Sequence, residues 1–145
     1  MNLAIHQEIE IGVPVERVFA AWTKAEHLTK WWGDDERYRV TGWECDLRAG
    51  GKWISRGKSK DGTSFSVSGE YTRVEPPHRL TFTWSHDWGD DPEISLVDLE
   101  FISIKTGTLL KLTHTEFKSE KSRADHEQGW KSVCNWMRTY VEAQS

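Results

Sequence analysis

Residues 64–84 read SFSVSGEYTRVEPPHRLTFTW, and their alternation decides the fold. Phe65, Val67 and Tyr71 alternate with Ser64, Ser66, Ser68 and Glu70; past Pro76-Pro77, Leu80, Phe82 and Trp84 alternate with Thr81, Thr83 and Ser85. A period of two places successive side chains on opposite faces of a strand, so each segment predicts a strand with one apolar and one polar face. The two prolines break the chain between them. Antiparallel sheets with this pattern keep one face wet and need a cover on the other.

The same period extends in both directions. Tyr38 to Leu47 reads as a strand with Gly42 at a bulge, and Ala49-Gly50-Gly51 turns the chain into Lys52 to Lys58. Asp61-Gly62 is a hairpin signal. Ile94 to Ile104 and Thr108 to Phe117 flank a turn at Lys105-Thr106-Gly107, and Leu3 to Ile11 predicts a first strand. Between that strand and Tyr38 the period is helical. Pro14 suits a first helical turn, and Val15, Val18, Phe19 and Trp22 follow at i, i+3, i+4, i+7. Thr23-Lys24-Ala25-Glu26 has capping-box spacing for a second short helix through Leu28, Trp31 and Trp32. The chain closes on a helix signalled by Ser122 and Asp125, with Trp130, Val133, Cys134, Met137, Tyr140 and Val141 on one side. One strand, two short helices, six strands in a meander and one amphipathic helix make an α+β protein, with the last helix covering the sheet.

The 145 residues (16.8 kDa) suit a single domain spanning residues 1–145. Folding should leave roughly 7,700 of roughly 24,000 Å² accessible, enough burial for a core without a disulfide or metal staple. With 37% hydrophobic and 29% charged residues and a formal charge of −4, the composition excludes a membrane span and gives no sign of nucleic-acid binding. The start, Met1-Asn2-Leu3-Ala4-Ile5-His6, lacks a basic-then-apolar leader, so a cytoplasmic protein is expected. Cys45 and Cys134 lack metal-site spacing and read as buried thiols. Nine tryptophans are the abnormal count, and they suit either a tightly packed core or the wall of an apolar cavity.

Several segments carry a resemblance. Residues 14–23 (PVERVFAAWT), Trp31-Trp32-Gly33, residues 46–53 (DLRAGGKW), Gly69-Glu70-Tyr71, residues 75–80 (EPPHRL), Phe82-Thr83-Trp84 and residues 126–130 (HEQGW) occur in order over nearly the whole chain. In them the chain resembles the SRPBCC or START-like (Bet v 1-like) superfamily, and within it the branch named after the C-terminal domain of the activator of heat-shock-protein ATPase. The resemblance implies a helix-grip fold, with a curved seven-stranded antiparallel sheet around a long C-terminal helix and two short helices after the first strand. It also implies a cavity between sheet and helix for a small apolar or amphipathic molecule. Its alternatives are a co-chaperone-like protein–protein role in stress response with a heat-shock ATPase as partner, or a cyclase- or hydrolase-type enzyme using the same cavity.

Strand parity and helix phase nominate the wall: Trp43, Trp53, Phe65, Val67, Tyr71, Phe82, Trp84 and His114 from the sheet, facing Trp130, Cys134 and Met137 from the helix. The competing expectation is a core packed without voids. His114 shares parity with Leu110 and Leu112. Inside, it would orient a ligand, act as an acid or base with Tyr71 or Asp98, or be a satisfied core histidine. Asp98 needs a partner if it faces inward and is solvated if it faces outward. His126 near a helix start suits a structural bond to a neighbouring loop, and Gly129 inside a helix suggests close approach of another element. His86-Asp87-Trp88-Gly89-Asp90-Asp91 has ligand-type residues without metal-site spacing and reads as a turn. Arg48, Lys52, Arg56, Lys58 and Lys60 read as a solvated face. No P-loop, dinucleotide fingerprint or nucleophile elbow is present, so no cofactor, metal site or catalytic residue is assigned.

Overall fold

Seven antiparallel strands form one sheet in the order β1-β7-β6-β5-β4-β3-β2, which curls as a half-barrel around the last helix. A computed structural model describes residues 3–87 and 93–144. The elements are β1 (Ile5–Ile11), α1 (Val15–Thr23), α2 (Ala25–Trp31), β2 (Tyr38–Cys45), β3 (Lys52–Ser59), β4 (Ser64–Glu75), β5 (Arg79–His86), β6 (Ile94–Ile104), β7 (Gly107–Thr115) and α3 (Glu120–Ala143). Strands β2 to β7 pair in sequence as a meander, and β1 closes the far edge against β7. The helix-grip architecture that the resemblance implies is the one observed, and it agrees with the α+β layout read from the residues.

Alternation sorts the two faces of the sheet. Ser95, Val97, Leu99 and Phe101 on β6 and Thr108, Leu110, Leu112 and His114 on β7 are buried toward the helices. Fully burying each large apolar side chain stabilises the fold by about 1.5–3 kcal/mol. Asp98 has the opposite parity and lies on the outer face. There its carboxylate accepts from Arg79 Nη2 at 2.6 Å, Arg79 Nε at 3.1 Å and Thr81 Oγ1 at 2.8 Å. Burial raises the Asp98 carboxyl pKa, and the bonds from Arg79 and Thr81 outweigh it, so the group sits below its ordinary value. The Gly42 bulge is present as a register shift between Val40 and Gly42.

The helices differ from expectation at their ends. Thr23 does not cap α2; it is the last residue of α1 and its hydroxyl donates to the Phe19 carbonyl at 2.8 Å. The break falls at Lys24, whose extended backbone (φ −100°, ψ 125°) separates the two helices. Trp31 then donates its indole N–H to the Ala21 carbonyl at 2.8 Å, holding α2 against α1. Gly33 is required to leave α2, because its φ is +116° and a Cβ there would collide with the Tyr38 carbonyl.

Helix α3 begins earlier than Ser122 suggests. Ser119 is the cap, its hydroxyl accepting from the Ser122 N–H at 3.1 Å. The Ser122 hydroxyl is engaged elsewhere, donating to the buried Glu93 carboxylate at 2.7 Å. Glu93 also accepts the Lys118 N–H at 2.6 Å, so one carboxylate fastens the entry of α3 to the start of β6. Along α3, Trp130, Val133, Cys134, Met137 and Val141 are buried as the stripe requires.

Candidate functional site: a tryptophan-walled recess

Where β2–β5 curl under the first half of α3, the packing opens into a recess of about 520 Å³. Trp43, Phe65, Val67 and Trp84 supply its sheet side. His126, Gly129, Trp130 and Val133, at i, i+3, i+4 and i+7, supply one face of α3. Trp32, Tyr38 and Val40 close the end beside α2, and Arg37, Asp87 and Asp125 stand among the polar lining residues. Arg37 Nη1 donates to Ser132 Oγ, tying the segment before β2 to α3.

Five of the residues nominated from the sequence therefore meet at the recess: Trp43, Phe65, Val67, Trp84 and Trp130. Three stand one layer behind it. Trp53, Tyr71 and Phe82 enclose, with Trp22 and Trp32, a residual void of about 10 Å³, too small for a ligand. Trp53 stacks on Trp43 with ring centroids 5.3 Å apart, and its cross-strand partner is Gly69. A Cβ at Gly69 would collide with the Thr83 carbonyl and crowd the Trp53 indole nitrogen, so glycine there makes room for the stack. Burial raises the Tyr71 phenol well above its ordinary pKa, so it stays protonated. Cys134 and Met137 lie away from the recess. Met137 is fully buried, and Cys134 borders a separate groove against β1 with Gln7 and Ile9. Burial pushes the Cys134 thiol up to about 12, which keeps it a neutral apolar group.

His114 is buried beneath the recess wall in a closed chain of hydrogen bonds. Trp130 Nε1–H can only donate, and it reaches His114 Nδ1 at 2.8 Å, which therefore carries no proton. The proton is on Nε2, which donates to Ser95 Oγ at 2.6 Å. Ser95 in turn donates to the Trp84 carbonyl at 3.3 Å. Burial, with His126 acting in the same direction, pushes the imidazole pKa down to about 3. Both ring nitrogens are engaged and the ring is neutral. Asp98 stands on the opposite face of the sheet, so it cannot act with His114.

His126 behaves differently. Its Nδ1 bonds the Ser122 carbonyl, four residues back in its own helix, at 2.8 Å rather than a neighbouring loop. Its Nε2 is buried without a partner, as is the indole nitrogen of Trp84. Such unpaired buried atoms cost about 1–3 kcal/mol each. Burial holds the His126 imidazole below its ordinary value. Gly129 also departs from expectation, because a Cβ there would meet nothing within 4 Å. Its missing side chain leaves the recess open and makes no close helix contact.

Trp32, Tyr38, Val40, Ser55, His126 and Val133 line the recess but were not among the nominated residues. Trp31-Trp32-Gly33 and His126 stood among the segments carrying the resemblance, which was the available signal for two of them. Tyr38, by contrast, is placed by its bond from Trp32 Nε1 at 3.1 Å, which no period predicts. Of the basic hairpin residues, Arg48 pairs with Asp46 and Arg56 with Glu44, all exposed. Trp88 to Asp91 of the acidic turn lie outside the described residues. Among the described residues no group of three metal-ligating side chains occurs, and no helix is long and apolar enough to cross a membrane.

Comparison with known proteins agrees with this architecture. No curated protein matches the chain significantly. The solution structure of an AHSA1-like protein from Aeromonas hydrophila is 31% identical, covering 97% of this chain and 93% of that one with a TM-score of 0.80. The AHSA1 protein from Silicibacter pomeroyi is 29% identical, covers 98% and 99%, and has a TM-score of 0.83. A protein from Chromobacterium violaceum, 20% identical over 96% of each chain, shares the fold with a TM-score of 0.84. The family model described as Activator of Hsp90 ATPase homolog 1-like protein matches residues 12–142. The chain belongs to that family.

Proposed function

We propose that the chain, acting as one domain, binds a small apolar or amphipathic molecule in the recess between the sheet and α3. The observation that carries this reading is an aromatic-walled space of about 520 Å³, within the size range of small-molecule sites. Gly129 keeps that space open at a helix position where alanine would cost less. Catalysis through His114 is the weaker reading, since the ring has no free nitrogen.

A co-chaperone-like role with a heat-shock ATPase is suggested by the family's description alone. The large exposed apolar side chains among the described residues are Leu47 and Ile94, one in the loop after β2 and one at the start of β6. Two separated side chains make a poor apolar docking patch.

A thermal-shift screen of small apolar compounds tests the proposal. A ligand at a hundred times its Kd stabilises the folded state by about 2.7 kcal/mol. Stabilisation of the unaltered protein that is lost in Gly129→Leu supports binding in the recess. No stabilisation by any compound, together with retention of a heat-shock ATPase in a pull-down, overturns it in favour of the protein–protein role.

A further inference from the structure

We propose that the recess selects a neutral hydroxyl group, an alcohol or phenol, carried on an otherwise apolar molecule. This inference rests on the ligand-binding reading above and names the chemistry of its polar anchor. The Ser122 carbonyl can only accept, so the 2.8 Å contact places the His126 proton on Nδ1. A neutral imidazole protonated there presents a bare lone pair at Nε2, and that atom has no partner. Trp84 supplies the opposite need, because its unpaired indole N–H can only donate. The two rings stand 6.4 Å apart between centroids, edge to face, and both residues line the recess.

An unpaired acceptor and an unpaired donor on neighbouring rings together match a group that both donates and accepts. A hydroxyl does so with a single oxygen: its O–H donates to His126 Nε2 while its lone pair takes the Trp84 N–H. An ether satisfies Trp84 alone, a carboxylate has no proton for Nε2, and a hydrocarbon serves neither. Burial favours the neutral imidazole, which preserves the lone pair at neutral pH.

Isothermal titration of the unaltered protein at neutral pH with 2-naphthol, 2-methoxynaphthalene and 2-naphthoate tests the assignment. The naphthol should bind at least about tenfold more tightly than its methyl ether or the carboxylate. In His126→Phe, which keeps a ring in place, that ratio should fall to near one. If the variant does not fold, the ¹⁵N resonance of His126 Nε2 in the unaltered protein carries the same test, because naphthol and not its ether should shift it upfield. Equal affinities for naphthol and ether overturn the hydroxyl selectivity and leave the ligand-binding reading standing. Failure of all three probes to bind overturns that reading and this inference with it.

Discussion

The indole N–H of Trp130 donates to Nδ1 of His114 across 2.8 Å, and this bond joins α3 to the innermost strand face. It also fixes the histidine tautomer, which orders Ser95 and the Trp84 carbonyl behind it. The centre of the molecule is therefore a polar chain inside an aromatic shell, and removing any member leaves another unsatisfied.

Trp130→Ala should cost about 3–5 kcal/mol, since the side chain is almost wholly buried and its neighbours are rigid rings. Trp130→Phe keeps most of the apolar contact but strands His114 Nδ1, at a cost of about 1–3 kcal/mol. Urea unfolding measures both. A Trp130→Phe midpoint equal to the parent's would mean that the buried chain contributes nothing.

Acid should weaken the fold through His114. The group is depressed in the folded state, so its contribution is complete above the unfolded value near 6.5 and is lost as pH falls toward about 3. Over that window the unfolded chain binds a proton that the folded ring refuses. By about pH 5 the loss amounts to about 2 kcal/mol, and His126, also lowered by burial, adds in the same direction. Denaturant midpoints across this range provide the check. An NMR titration of the His114 ring in the folded protein with a midpoint near 6.5 would refute the assignment.

Asp98→Ala should lower stability by about 1 kcal/mol, because a half-buried pair with Arg79 is lost on the outer face. Ligand binding in the recess should not change. Altered affinity in this variant would contradict the placement of Asp98 away from the site.

Substitutions at Gly129 should separate folding from binding. Gly129→Ala relieves a helix-interior glycine and should stabilise the protein by up to about 1 kcal/mol. Gly129→Leu should fold, since no atom lies within 4 Å of the added Cβ, yet fill the recess and abolish ligand-induced stabilisation. Comparing melting curves with and without ligand distinguishes the two effects.

The sheet was legible wherever one face is dry: Val67 and Tyr71, Leu80 to Trp84, and Leu110 to His114 alternate as a period of two demands, and burial follows. Strand β6 was legible only as a strand, because Ile94, Leu96 and Ile102 stand on the face opposite its buried Val97, Leu99 and Phe101. The apolar stripe of α3 was equally plain from Trp130 to Val141. Its start was not, because Ser119 and Ser122 are both competent caps and Glu93, far away in sequence, claims the hydroxyl of Ser122. The site was half legible. Parity assigns a residue to a face, so Trp43 and Trp84 emerged together with Trp53 and Phe82. It does not say how deep along the curl each one sits, and that depth separates the recess wall from the filled layer behind it. Gly129 differs from expectation for a related reason, since empty space leaves no mark on a hydrophobic period.

Seven tryptophans, Trp22, Trp31, Trp32, Trp43, Trp53, Trp84 and Trp130, form an unbroken network with successive ring centroids 5.0–6.4 Å apart. At such separations the transition dipoles of the indoles couple, and an absorbed photon belongs to the network rather than to one ring. Circular dichroism will then carry an excitonic couplet superimposed on the peptide signal, distorting any helix content read from it. Emission will be depolarised by hopping among rings even in a rigid molecule. The same coupling makes the protein its own optical probe: a guest seated against Trp84 or Trp130 perturbs the shared excited state, so quenching at one contact registers across all seven.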